Sequence, residues 1–153
     1  MTKCSLVKAT LEENKKTFSA PVENESHLAM ESKKILIVED DGNSREGLKA
    51  MLQGYGYRVD TSQNGLEAIK KIKEDRFEVA IVDINLPPVL DVPLSGWDLI
   101  PIFRSFNPTI DIIVVTGDQD NKSRAHQFEL AGFLEKPIRA SQLKSILQTL
   151  PRV

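Results

Sequence analysis

The feature that most constrains the fold is an alternation of short apolar runs with segments of helical periodicity. Three runs of four residues are wholly apolar and mostly β-branched, at 35–38 (ILIV), 79–82 (VAIV) and 112–115 (IIVV). A strand that is apolar at every position is typical of a parallel sheet whose two faces are both covered. Shorter strands are predicted at 58–61 and 133–134. The pattern predicts an α/β fold.

Five predicted helices alternate with these five strands. Parallel strands joined through helices form right-handed crossovers, which place helices on both faces of one sheet. We therefore expect a doubly wound, five-stranded parallel sheet. The sequence contains no internal repeat.

Two helix starts are signalled by an asparagine followed three residues later by a glutamate. The pairs are Asn43 with Glu46 and Asn64 with Glu67, and both match the capping-box spacing. A later helix is predicted over residues 121–130.

Composition narrows the functional classes. The 153 residues are 41% hydrophobic and 27% charged, with a formal net charge of −2, which suits one soluble domain and gives no support for a nucleic-acid-binding surface. No apolar run approaches the ~20 residues that a membrane helix needs. The single cysteine, Cys4, excludes an internal disulfide. We expect a cytoplasmic protein that contacts neither nucleic acid nor membrane.

Residues 1–32 differ from the rest of the chain. They are rich in Lys, Glu, Asn and Ser and show no clean period, which predicts a disordered extension ahead of a domain over residues 33–153. A short helix through residues 8–17 is the alternative, and the sequence leaves this choice open.

Polar residues follow the predicted strands at the points where each strand ends. In a doubly wound sheet, ligands bind beyond these carboxyl ends. Glu39, Asp40 and Asp41 follow the first strand, Asp83 the third, Thr116 ends the fourth, and Lys136 follows the fifth. Gathered carboxylates suit Mg²⁺. The alternatives are that residues 39–41 form a solvated cap and that Asp83 only caps a helix or pairs with Lys136.

These residues lie in four motifs whose order and spacing resemble the response-regulator receiver family. The motifs are residues 35–41, 82–87, 114–117 and 133–137, and the resemblance covers essentially residues 33–150. It implies a flavodoxin-like strand order of 2-1-3-4-5. It also implies a Mg²⁺-dependent domain of two-component signalling that takes a phosphoryl group from a histidine kinase or phosphotransfer protein and switches a protein-binding face.

The resemblance assigns roles residue by residue. Asp83 looks like the phosphoacceptor, Thr116 the switch hydroxyl and Lys136 the phosphate-pairing cation. The implied metal ligands are Glu39, Asp40, Asp83 and the backbone carbonyl of Asn85. Phe133 looks like a switch aromatic, although an ordinary core ring is the alternative. Asn85 and Asp118 match the positions that tune dephosphorylation, and Pro137 matches a usually cis proline.

Two departures from the family pattern stand out. The glycine expected soon after the loop proline comes nine residues after Pro87, at Gly96. The extra residues 89–93 could screen the pocket, contact a partner or do neither. The connection before Phe133 is also short, which puts the fourth helix in doubt.

Other functions fit less well. A phosphatase that uses a strand-end aspartate would need a second acid where Asn85 stands, and the clustered acids would repel a cofactor phosphate. The chain is therefore expected to be a phosphoacceptor domain, not an enzyme acting on a separate substrate. We expect a stand-alone receiver whose output passes to a downstream protein. A phosphate sink or constitutive interaction module is the alternative, and the oligomeric state stays open.

Overall fold

The computed structural model describes residues 33–151, and their secondary structure alternates strictly between strands and helices. The elements are β1 (Lys34–Val38), α1 (Gly42–Gly54), β2 (Arg58–Ser62), α2 (Gly65–Glu74), β3 (Val79–Asp83), α3 (Gly96–Phe106), β4 (Asp111–Thr116), α4 (Asn121–Ala125), β5 (Gly132–Glu135) and α5 (Ala140–Thr149). The predictions for residues 1–32 and 8–17 lie outside the described residues.

The five strands form one parallel sheet in the order β2-β1-β3-β4-β5. This confirms the doubly wound sheet and the strand order 2-1-3-4-5. The order reverses direction between β1 and β3, which are neighbours with Val38 paired to Val82. The carboxyl ends of these two strands therefore meet at the place where such sheets bind ligands.

The two faces of the sheet carry separate cores, because successive residues of a strand point to opposite sides. On one face, alternate residues of the central strands pack with apolar residues of α1 and α5, such as Leu52 and Leu143. On the other face, the remaining strand residues pack with α2 and α3, including Leu99 and Phe103. The apolar runs are thus buried on both sides, as their composition predicted.

The predicted cap of α1 was wrong. Asp41, not Asn43, caps this helix: its Oδ2 accepts a hydrogen bond from the Ser44 amide at 2.8 Å. Asp41 has the extended backbone that a cap requires, whereas Asn43 already lies inside the helix. The prediction for α2 is confirmed, since Asn64 Oδ1 accepts from the Glu67 amide at 2.8 Å.

The helix predicted over residues 121–130 is shorter than expected. It ends at Ala125, and none of its residues is buried. The chain leaves the helix because Phe128 turns inward to stack on Trp97, with ring centroids 5.2 Å apart. Ala131 then donates to the Ile112 carbonyl at 2.8 Å, which leads the chain into β5.

Near the amino ends of the strands, Lys33 is buried and its Nζ donates to the Pro151 carbonyl at 2.7 Å. The two ends of the described chain therefore meet on the side of the domain away from the carboxyl ends of the strands. Within residues 33–151, no helix combines the length and apolar character needed to cross a membrane.

Candidate functional site

Three carboxylates meet where β1 and β3 end. Glu39 and Asp40 follow β1, and Asp83 is the last residue of β3. Each offers an oxygen that lies within 4.8 Å of the others. Glu39 and Asp83 are buried, and Asp40 is exposed. The pairing of the two strands produces this cluster, so the grouping expected from the sequence is present.

Lys136, which follows β5, reaches into the cluster. Its Nζ lies 2.9 Å from Asp83 Oδ2 and 3.0 Å from Glu39 Oε1. Burial alone would lower the pKa of Lys136, but its hydrogen bonds to Asp83 and Glu39 outweigh burial and raise the pKa. Burial raises the pKa of Glu39, and the negative charge of Asp83 adds to this effect against the opposing bonds from Lys136 and the Asp41 amide.

The donor set of the cluster fits a small divalent cation. Three carboxylates and one ammonium group carry a formal charge of −2, which a divalent cation would balance. Mg²⁺ binds oxygen at about 2.0–2.1 Å, so oxygens on opposite sides of the ion lie about 4 Å apart. Oxygens within 4.8 Å of one another are close to that spacing.

Asp83 is held in place by the segment that follows it. The Asn85 amide donates to Asp83 Oδ1 at 3.0 Å. Gly96, the first residue of α3, donates from its amide to the Ile84 carbonyl at 3.0 Å. A Cβ atom at Gly96 would lie 2.5 Å from the Asp83 carbonyl oxygen. Despite its late position in the sequence, this glycine lets α3 begin directly against the strand end that carries Asp83.

The extra residues between Pro87 and Gly96 form a small hairpin. Val89 and Val92 exchange two backbone hydrogen bonds, at 3.1 and 2.9 Å. The two residues between them, Leu90 and Asp91, have positive φ angles of 51° and 61°. Positive φ is costly for residues with a Cβ. The Leu90 side chain is 85% exposed at the tip.

The remaining predicted residues lie around Thr116, at the end of β4. Thr116 is fully buried, and its Oγ1 accepts from the Asp118 amide at 3.0 Å and from Asn121 Nδ2 at 2.9 Å. The Asp118 carboxylate accepts from the Asp120 amide at 2.9 Å. Phe133, on β5, is partly buried and packs against the core on the α2 and α3 face. The Lys136–Pro137 peptide bond is cis.

Two residues of the site were missed by sequence reasoning. Arg45 Nη1 donates to the carbonyls of Glu39 and Asp40, at 2.9 and 3.2 Å, and so fixes the backbone of the acidic turn. The sequence signal that could have identified Arg45 was a basic residue in the first turn of α1, shortly after the acidic residues. Asn121, which contacts Thr116, gave no signal beyond its position in a predicted helix.

Comparison with known proteins defines the class of this fold and site. Residues 35–148 match the model of the response regulator receiver domain family. The chain therefore belongs to the response regulator receiver family. Members of this family are phosphoacceptor domains of two-component signalling.

Individual relatives support this assignment. Over 121 residues the chain is 32% identical to the transcriptional regulatory protein CusR of Escherichia coli K12, covering 78% of this chain and 51% of that protein. It is 30% identical over 115 residues to the transcriptional regulatory protein ZraR of Klebsiella oxytoca, covering 74% and 25%. The chain thus spans between a quarter and about half of the length of these relatives.

A solved structure agrees with the fold. The response regulator TrrA of Thermotoga maritima, in complex with Mg²⁺ and BeF, is 31% identical, with a TM-score of 0.68 over 78% of this chain and 99% of that one.

Proposed function

We propose that this chain accepts a phosphoryl group on Asp83 from a sensor histidine kinase or a phosphotransfer protein, and that phosphorylation switches a surface that binds a downstream protein. The observation that carries the proposal is the buried Asp83 carboxylate, hydrogen-bonded to Lys136 at 2.9 Å and clustered with Glu39 and Asp40.

In the proposed reaction, an oxygen of Asp83 attacks phosphorus. The new aspartyl–phosphorus bond forms as the bond to the donor's side chain breaks, and the leaving nitrogen or oxygen keeps the electron pair. Glu39, Asp40, Asp83 and the Asn85 carbonyl would hold Mg²⁺, which offsets the repulsion between the carboxylate and the incoming phosphoryl group.

Lys136 and Thr116 act on the phosphoryl oxygens in this proposal. Lys136 already lies 2.9 Å from Asp83 Oδ2 and would move from that carboxylate oxygen to a phosphoryl oxygen. Thr116 would donate its hydroxyl hydrogen to another. Charged and hydroxyl donors placed in this way stabilise charge that develops in the transition state. Phe133 would then change its packing in response to Thr116.

The experiment that tests the proposal is intact-mass measurement after incubation with Mg²⁺ and a small phosphodonor. Wild-type protein should gain one acid-labile phosphoryl group that hydroxylamine removes. Asp83→Asn should gain none. Full labelling of that variant would place the acceptor elsewhere.

The surface around the site supports the proposal that this chain binds partner proteins. A cavity of about 500 Å³ opens beside Lys136, lined by Leu48, Met51 and Ile138 among others. It offers apolar contacts to a protein that brings its phosphorylated side chain to Asp83. CusR and ZraR are named as transcriptional regulators, but this chain matches only part of each. We propose a protein target, not DNA, because the chain has a formal net charge of −2 and no excess of basic residues that would favour nucleic acid.

A second candidate function is a phosphate sink without output. A phosphate sink would use the same contact between Asp83 and Lys136 to accept the phosphoryl group. A partner that binds phosphorylated and unphosphorylated protein with the same affinity would support the sink over the switch.

Residues 33–153 are proposed as the receiver domain and residues 1–32 as an extension outside it. Within the part of the chain that the structure describes, both cores are built from residues between 35 and 150. A fragment that starts at Lys33 should unfold cooperatively and accept a phosphoryl group as the full chain does. Loss of either property would show that the extension is structural.

A further inference from the structure

The side chain of Asn121 contacts the Thr116 hydroxyl, and this contact joins the start of α4 to the end of β4. Asn121 Nδ2 donates to Thr116 Oγ1 at 2.9 Å, and the Asp118 amide donates to the same oxygen at 3.0 Å. A hydroxyl oxygen has two lone pairs, and both are therefore used. Among the hydrogen bonds of the described residues, none joins this hydroxyl to Asp83 or Lys136.

The hydrogen of the same hydroxyl is weakly bonded. Its nearest acceptor is the Asp118 carbonyl, at 3.4 Å, which is long for an O–H donor. Side chains change between staggered rotamers in discrete steps. A turn of Thr116 to another staggered rotamer, made to bring its hydroxyl to a phosphoryl group on Asp83, would move Oγ1 away from Asn121 and break the 2.9 Å bond.

The α4 segment is short and mostly exposed, with Ala125 packed against the core on the α2 and α3 face, so one side-chain bond is a large share of what holds it. It has five residues, none of them buried, and Asp120 at its start makes no side-chain capping bond. Elements with few buried contacts open at low free-energy cost. Beyond Asn121, the side-chain contacts of this segment include the Arg124 guanidinium, which lies 5.4 Å from the centre of the Trp97 ring.

Trp97 is a buried residue that contacts the α4 segment, and its fluorescence can therefore be used to follow that segment. It is 3% exposed, lies in the first turn of α3, and follows the glycine that packs against Asp83. Arg124 and Phe128 both contact its ring. It is also the single tryptophan of the chain, so its fluorescence reports on the position of α4.

We propose that Asn121 is a positioning residue that holds the Thr116 hydroxyl and α4 together in the unphosphorylated protein and releases α4 when the hydroxyl turns to the phosphoryl group. This inference rests on the proposed role of Thr116. The bond favours the unphosphorylated arrangement, so its removal raises affinity for a phosphoryl mimic. One net hydrogen bond changes such an equilibrium about 2- to 10-fold.

The test uses the full chain with Mg²⁺ and beryllofluoride as the phosphoryl mimic. Calorimetry gives the Kd, and Trp97 fluorescence gives the state of α4. Asn121→Ala should bind beryllofluoride about 2- to 10-fold more tightly than wild type, and its fluorescence without ligand should lie part-way to the bound value. Ser123→Ala, in the same helix but without contact to Thr116, should match wild type. Asn121→Leu, close in size to asparagine, should repeat the effect of alanine.

A double variant separates positioning from a general loosening of the helix. In a Thr116→Ala background the hydroxyl is absent, so Asn121→Ala should change the Kd no further. An Asn121 effect that persists there, or an Asn121→Ala protein that binds like wild type or more weakly, would overturn the inference alone. Failure of wild type to bind beryllofluoride would refute the proposed function and this inference together.

Discussion

Gly96 lies so close to the backbone of Asp83 that a Cβ atom there would meet the Asp83 carbonyl oxygen at 2.5 Å. The obstacle is backbone, so no side-chain rotation relieves it. The first turn of α3 and the strand end that carries the proposed phosphoacceptor therefore form one packed unit.

We expect Gly96→Ala to lower the free energy of unfolding by about 1–3 kcal/mol, the usual cost of overpacking, and to slow phosphorylation. Gly47→Ala is the matched control: Gly47 lies inside α1, and a Cβ atom added there would meet nothing within 4 Å. That change should stabilise the protein by about 0.5–1 kcal/mol. Urea unfolding measures both, and a Gly96→Ala midpoint equal to wild type would contradict the contact.

Removal of the Lys136 ammonium should slow phosphorylation strongly. Its Nζ contacts both buried acids of the cluster, at 2.9 and 3.0 Å. Loss of one well-placed donor to a transferring group costs about 100- to 1000-fold in comparable sites, and we expect an effect in that range for Lys136→Met. Lys136→Arg keeps the charge but not the geometry, so it should retain partial activity. Initial labelling rates from intact-mass spectra distinguish the three proteins. Equal rates would rule out a role for Lys136.

Asp40→Asn should weaken Mg²⁺ binding by more than about tenfold, because even changes to groups behind the ligands of a metal cost about 10- to 100-fold. Asp41→Asn is the control. Asp41 is the neighbouring acid, but its carboxylate caps α1, which asparagine can also do. Calorimetric titration with Mg²⁺ should show little change for this control. Similar losses in both variants would indicate a general charge effect instead of ligation.

The strands were predicted correctly, and the side chains that follow them lie together as expected, for a common physical reason. The runs at 35–38, 79–82 and 112–115 are apolar at every position, so only burial on both faces suits them. Parallel strands place their carboxyl ends at one edge of the sheet, and Asp83 and the Lys136 side chain meet at that edge.

The predictions that failed depended on choices between nearly equivalent local signals. Asp41 and Asn43 are both good caps, and only the backbone angles decide between them. The fourth helix ends early because Phe128 packs on Trp97, a contact between residues far apart in the sequence. Asn121 was missed for the same reason, since its partner Thr116 belongs to another element.

Replacing Leu90 and Asp91 together by Asn and Gly should stabilise the protein. Both residues have positive φ, and a two-residue hairpin of this kind favours Asn-Gly. Left-handed backbone costs about 1–2 kcal/mol per residue with a Cβ, so a gain of about 1–2 kcal/mol is expected by urea unfolding. Leu90→Ser alone should change little, because the leucine is 85% exposed. A destabilised double variant would mean that the leucine side chain is needed for folding.

The phosphorylated state should decay quickly. Asn85 is short and exposed, and Asp118 is short and polar, so both leave room for a water in line with the aspartyl–phosphorus bond. Asn85→Met should lengthen the lifetime by shielding phosphorus. Phosphoryl decay measured in wild type, Asn85→Met and a protein lacking residues 89–93 tests this. Slow wild-type decay that the deletion accelerates would make the hairpin a lid.

The bond between Lys33 and Pro151 has a consequence for protein engineering. One lysine side chain spans the distance between the two ends of the described chain, and both ends lie opposite the acidic cluster. A short glycine-rich linker could therefore join them, and new termini could be opened in an exposed loop at the hairpin, giving a circularly permuted domain. Such a permutant would place the two halves of a split reporter beside the phosphorylation site itself.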